Sequence, residues 1–370
     1  MKTGIQTILI AMAFLGLNAA YAEPPSKIRI GFSTTLTGDG AISGQEMKNA
    51  AILANELIAH DAFEIIFEDE RCLGAPAASA AQKLISIDKI EYAVGFFCNV
   101  SLLSAAPLYQ KAGIPIISTV ATTMDTADVG KDVYRLFPAD QLSIPPLYKY
   151  VASRYKRVAI LAEEDAYAQM LKKEFVRINS LSPTALTLIV EDYQFAGIDF
   201  RSQLTRLKGN EVEAIFISSA TEPSFIRVVK QMHEMGLSPA IVGVYTPVSD
   251  IAIAELGELI EGAVAATLPD LTARSSQKRA TELLSQYRNR FGDPKSAFPV
   301  IPTTLEGFRL LYVATQSQRS VGEVMRDPIV NLDSLIGPYS IDKYGAIQGL
   351  EFVLKKVTNL KPLILPAAGN

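Results

Sequence analysis

Lys27-Ile28-Arg29-Ile30-Gly31-Phe32-Ser33-Thr34-Thr35 runs through Leu36-Thr37-Gly38-Asp39-Gly40-Ala41-Ile42-Ser43 to Gly44. Ile28 to Phe32 is a short apolar run, which reads as a strand. Gly38 and Gly40 mark a turn. From Gly44 to Ala59 apolar residues recur at helical spacing (Met47, Ala50, Ala51, Ala54, Leu57, Ile58). The stretch is thus strand, Gly-rich turn, helix, and the same unit recurs downstream. Strands are expected at Phe63–Phe67, Tyr92–Phe97 and Ile114–Ser118, with helices at Ala75–Ile87 and Leu102–Ala112. Strands alternating with helices of this length predict parallel βαβ architecture.

The rhythm then restarts. A helix over Leu142–Arg154 leads into strands at Val158–Ala162, Leu186–Val190, Ala214–Ile217 and Ile241–Val244. Helices over Gln169–Ile178, Phe200–Leu207 and Ser224–Met235 separate them. The tail differs, with helices over Ser275–Arg290 and Thr304–Gln316 and a Gly-punctuated hairpin over Tyr339–Leu354. The expected fold class is α/β, two Rossmann-like units with parallel central sheets.

Composition agrees. The chain has 370 residues, 49% hydrophobic, with a formal net charge of −4. This is a globular balance with length for two cores. A nucleic-acid binder would carry a basic surplus, so none is expected. Two histidines leave little material for a His-based metal site, and no metal or cofactor is expected.

Residues 1–22 read as a cleaved secretory leader. Lys2 precedes an apolar segment from Ile5 to Leu17, and Ala20-Tyr21-Ala22 is an A-x-A cleavage site. The mature chain is expected outside the cytoplasm. In an oxidising compartment, Cys72 and Cys98 are most simply one disulfide.

Most chemical motifs are coincidental. Gly38, Gly40 and Gly44 are spaced G-x-G-x-x-x-G, one residue too long for a dinucleotide fingerprint. Ser153-Arg154-Tyr155-Lys156 matches S-x-x-K, but no S-D-N accompanies it. Glu163-Glu164-Asp165 could serve as acid/base machinery, although solvation or a ligand contact explains it as well. The informative pattern is placement. Small polar residues follow the carboxyl ends of many strands: Ser33 to Thr35, Asn99, Ser101, Ser118, Thr119, then Ser218 to Thr221. Ligands bind outside those strand ends in open α/β sheets.

These segments together resemble the type I periplasmic solute-binding proteins, in particular the branched-chain amino acid group of ABC importers. The resemblance rests on Ile28 to Ser33 with Thr37-Gly38 and Gly44, on Glu68 to Cys72 with Gly95 to Cys98, and on Gly113 to Ser118 with Ala121-Thr122. It continues through Arg135 to Pro138 with Asp140-Gln141, Phe200 to Leu207, and Gly337 to Asp342. It implies two lobes joined by three crossings that close like a hinge. Lobe one would hold 23–138 and 272–337, and lobe two 139–271 and 338–370. It also implies a ligand carboxylate held at Asn99, Val120 and Thr122, with Ser43, Tyr167 and Thr221 as further contacts. The family's acidic partner of an amino-acid ammonium corresponds here to Tyr245. Asp165, Glu222 and Asp250 are the candidate substitutes, and an aromatic acid, amide or urea-like ligand becomes an alternative. The implied partners are a small-molecule ligand and an inner-membrane ABC permease, with the protein monomeric and without catalysis. A sensor subunit signalling to a membrane receptor is the competing output, and an exported hydrolase using Glu163–Asp165 a third.

Overall fold

The computed structural model describes residues 27–121, 132–195, 197–276 and 278–366; the expected leader and Thr122 lie outside the described residues. The first sheet is built from β1 (Ile28–Thr34), β2 (Phe63–Asp69), β3 (Tyr92–Gly95), β4 (Ile116–Ser118) and β5 (Val133–Arg135), in the order β2-β1-β3-β4-β5, all parallel. Helices α1 (Ala41–Leu57), α2 (Gly74–Ser86) and α3 (Asn99–Lys111) make the crossovers. After α4 (Ile144–Ala152) the chain enters a second sheet. Its strands are β6 (Arg157–Glu163), β7 (Thr187–Tyr193), β8 (Ala214–Ser218), β9 (Ala240–Val244) and β10 (Val264–Thr267), connected by α5 (Ala166–Leu181), α6 (Arg201–Lys208), α7 (Glu222–Glu234) and α8 (Asp250–Leu256). Helices α9 (Leu271–Arg274), α10 (Lys278–Phe291), α11 (Val300–Ser317), α12 (Val321–Met325) and α13 (Pro328–Leu332) follow.

The hairpin is shorter than expected. β11 (Ser340–Ile341) pairs only with β12 (Ile347–Gln348), and a bridge from Ala346 to Arg135 seats it on the β5 edge of the first sheet. The last crossing therefore falls between Gln348 and Val353. Beyond it, β13 (Val353–Thr358) and β14 (Lys361–Ile364) add antiparallel strands to the second sheet, ordered β14-β13-β10-β9-β8-β6-β7. Half-exposed sequences such as Val353-Leu354-Lys355-Lys356 of β13, which lies between β14 and β10, lack the apolar continuity of buried parallel strands, and periodicity therefore does not mark them.

The opening stretch behaves as its glycines require. A Cβ on Gly44 would stand 1.6 Å from the Thr35 carbonyl oxygen, so only glycine lets α1 lie against the end of β1. In the first core Phe32 and Phe63 meet Phe308 of α11, each at a centroid distance of 6.1 Å. In the second, Phe175 of α5 stacks on Phe216 of β8 at 5.1 Å. No helix among the described residues is long and apolar enough to cross a membrane.

Candidate functional site

The carboxyl ends of both parallel sheets face one cleft, and the expected residues distribute around it unequally. On the first side, Asn99 begins α3 and is buried, and Val120 is buried just after β4. The expected disulfide joins Cys72 to Cys98 with a Cα separation of 5.2 Å. Both cysteines are buttressed by Glu70, which is wholly buried. Its Oε1 accepts from the backbone N–H groups of Phe97 and Cys98, both at 3.0 Å, and from the Thr35 hydroxyl. Burial pushes the Glu70 carboxyl up to about 7, against the pull of these donors.

On the second side, Asp165 caps α5. Its Oδ1 accepts from the Tyr167 N–H at 2.7 Å and the Ala168 N–H at 3.1 Å. Its Oδ2 is buried without a hydrogen-bond partner. Burial, reinforced by the charge of Glu163, pushes this carboxyl up to about 7. Glu163 itself is committed, accepting from the Ala220 N–H and the Ser224 hydroxyl. Thr221 serves as the cap of α7, its hydroxyl accepting from the Ser224 N–H. Asp250 is exposed at the start of α8 and faces Lys355 in a groove that Phe298 and Glu46 also line.

The centre of the cleft is aromatic. Tyr245 is fully buried and takes a φ of 56° with ψ −64°, a conformation that L residues rarely adopt. That backbone twist ends β9. The Tyr245 ring lies 4.8 Å from Phe298 and 6.0 Å from Phe137. Phe298 in turn meets Tyr167 at 6.2 Å and Phe97 at 5.6 Å. Beside this cluster is a cavity of about 40 Å³ lined by the disulfide, Val100, Asp165, Tyr167, Ala220 and Phe298.

Phe298 and Asp140 are not among the site residues that the sequence offers. Phe298 lies in Pro294–Pro299, an irregular segment between α10 and α11 that bears no periodic signal. Asp140 sits in the first crossing and is buried. Burial first, and then the charge of Asp140, raise the hydroxyl pKa of both Tyr167 and Tyr245 well above the ordinary tyrosine value. The only sequence signal for Asp140 was its place beside the crossing.

The Pro294–Pro299 segment also joins the two sides. Glu46 of α1 accepts from the N–H groups of Lys295 and Ser296, and Ser43 bonds the Ser296 hydroxyl at 2.7 Å. Glu222 of α7 accepts from the Ala297 N–H at 2.6 Å. Near the cleft mouth Arg227 of α7 pairs with Asp39 from the Gly-rich turn.

A family model described as periplasmic binding protein matches residues 27–303. The leucine-, isoleucine-, valine-, threonine- and alanine-binding protein of Pseudomonas aeruginosa is 23% identical, over 96% of each chain. The crystal structure of a leucine binding protein from Thermotoga maritima superposes with a TM-score of 0.80 at 20% identity, covering 92% of this chain and 98% of the other. A solute binding protein of an ABC transporter from R. palustris, in complex with 4-hydroxybenzoate, gives 0.77 at 20% identity, covering 92% and 96%. With two α/β sheets facing one cleft and a match across most of its length, the chain belongs to the periplasmic binding protein family.

Proposed function

We propose that this protein captures a small hydrophobic amino acid-like solute between its lobes and delivers it to an inner-membrane ABC permease. It acts in the periplasm after removal of residues 1–22, as a monomer and without catalysis. The observation that carries this reading is the layout of charge in the cleft. The amino end of α3, with Asn99 and Val100, offers a partial positive charge suited to a ligand carboxylate. Across the cleft stands Asp165, with one oxygen unpartnered and buried, and Asp140 faces the same tyrosines. An ammonium placed there would find the acidic partner that Tyr245 does not supply. The aromatic rings between the two ends supply an apolar wall. The relative from Pseudomonas aeruginosa is named for amino acids of this class.

A second ligand class has its own support. Tyr245 and Phe298, 4.8 Å apart, form a surface on which an aromatic carboxylate could stack. Thermal unfolding of refolded, ligand-free protein separates the two. Leu, Ile, Val, Ala and Phe are compared with benzoate-type acids, amides and urea. Ligand at 100 times its Kd adds about 2.7 kcal/mol, which raises the unfolding midpoint by roughly 5 °C. A shift with amino acids that vanishes in Asp165→Asn supports the first class. A shift with benzoates alone, unaffected by Asp165→Asn, supports the second.

A further inference from the structure

We propose that Pro294–Pro299 is a proton-responsive clasp, in which Glu46 of one lobe and Glu222 of the other act as positioning residues and closing the cleft takes up protons from solvent. The inference rests on the reading that the two lobes close on each other. Three consecutive backbone N–H groups are shared out between the lobes: Lys295 and Ser296 donate to Glu46, and Ala297 donates to Glu222. The next residue is Phe298, whose ring packs against both cleft tyrosines. The segment leads directly into α11, which packs on α1, so it belongs to the first lobe. Opening the cleft must therefore break the Glu222 contact, withdraw Phe298 from Tyr167 and Tyr245, and admit water to both carboxylates.

Closure has the opposite effect. Both acids are buried, at 8% exposure for Glu46 and 2% for Glu222. Glu46 Oε2 is also buried without a hydrogen-bond partner, so it is the atom placed to hold a proton. The surroundings are short of compensating charge. Glu46 is faced by Glu222 across the cleft, by Tyr287 of α10 and by Lys295 of the clasp, a cation that favours its ionised form, and Arg288 of α10 lines the same groove. Glu222 is faced by Glu46 and by Tyr167 of α5. Burial pushes Glu46 up to about 7, with the charge of Glu222 adding to it, and burial raises Glu222 as well. In an open cleft both would relax toward the usual carboxylate range. A carboxyl whose pKa is higher in the closed form favours closing fully below its open value, and that advantage is lost as pH rises through about 7.

The test is small-angle X-ray scattering of the ligand-free full chain between about pH 5 and pH 8. The expected result is a smaller radius of gyration at the acidic end for the wild type. In Glu46→Gln and Glu222→Gln, which keep an oxygen acceptor but carry no charge, the change in radius between the two ends is smaller than in the wild type. Circular dichroism verifies folding, and should Glu46→Gln not fold, Glu222→Gln alone decides. A wild-type radius independent of pH, or a pH dependence undiminished in the folded Gln variants, overturns the proposal. No ligand enters this experiment, so its failure is separate from failure of the ligand panel.

Discussion

Both lobes place buried carboxylates at the carboxyl ends of their strands, but the two sets are used differently. In the first lobe, Glu70 turns inward. Its acceptor oxygen gathers Thr35, Phe97 and Cys98, and so ties the end of β1 to the disulfide-bearing loop. In the second lobe, Asp165 spends one oxygen on capping α5 and leaves the other toward the cleft, while Glu222 spends its contact on a segment of the opposite lobe. The first rim is a wall organised around its own acid. The second has an inward acid of its own, Glu163, and adds two that face outward, Asp165 toward the cleft and Glu222 toward the other lobe. A buried charge is costly wherever it lies. Glu70 and Asp165 each have one oxygen met by internal donors and one buried without a hydrogen-bond partner, and they differ in that Asp165 lines the cleft cavity and Glu70 does not.

The comparison breaks most readily at the disulfide. Replacing Cys72 and Cys98 by Ala removes a link between residues 26 apart. The chain-entropy model puts this at about 3.5 kcal/mol, and chemical denaturation should show the loss in the first lobe. Glu70→Ala comes next. It strips three donors of their acceptor, and the unmade hydrogen bonds cost about 3 kcal/mol. The same measurement on Asp165→Asn should change stability by less than about 0.5 kcal/mol, because Asn caps a helix as well as Asp. If Asp165→Asn destabilises as much as Glu70→Ala, the distinction between the rims is lost.

The pH dependence is common to both rims, because burial raises Glu70 and Asp165 alike to about 7. Glu70 has its pKa raised in the folded state to about 7. Its stabilising contribution is therefore full below the ordinary carboxylate value and disappears as pH rises through about 7. The unfolding midpoint of the wild type should fall between pH 5 and pH 8, and Glu70→Gln should flatten that fall. The smallest expected effect is at the cleft mouth. Arg227 and Asp39 are 27% and 25% exposed in their side chains. A pair so open to solvent contributes at most about 1 kcal/mol, so Arg227→Ala should lower the unfolding midpoint by no more than about 2 °C, and by less in high salt.

Much of the architecture was legible before any coordinates. Central parallel strands are buried on both faces, and runs such as Val158–Ala162 and Ala214–Ile217 therefore announce themselves as unbroken apolar stretches. Gly44 was legible as part of a strand-to-helix turn, but the reason it must be glycine, the Thr35 carbonyl, was not. β14 at the sheet edge and β13 beside it were missed because they are largely part-exposed and their residues include Lys355, Lys356 and Lys361. Among the site candidates, Tyr167, Tyr245 and Asp165 gather around one aromatic cluster, while Asp250 lines a neighbouring groove that shares Phe298 and Thr221 is occupied in capping α7.

What the sequence by itself determined is the α/β rhythm, its division into two units, and the polar residues that follow the strands. These are local properties, written in periodicity and in the order of apolar runs. What only the tertiary structure decided is which side chains meet in the cleft. Phe298, Asp140 and Glu46 come from an irregular segment, a crossing and a helix, separated from their partners by scores of residues, and no periodic pattern marks them. Their roles arise from burial and mutual approach, which exist only once the chain has folded and two sheets face each other.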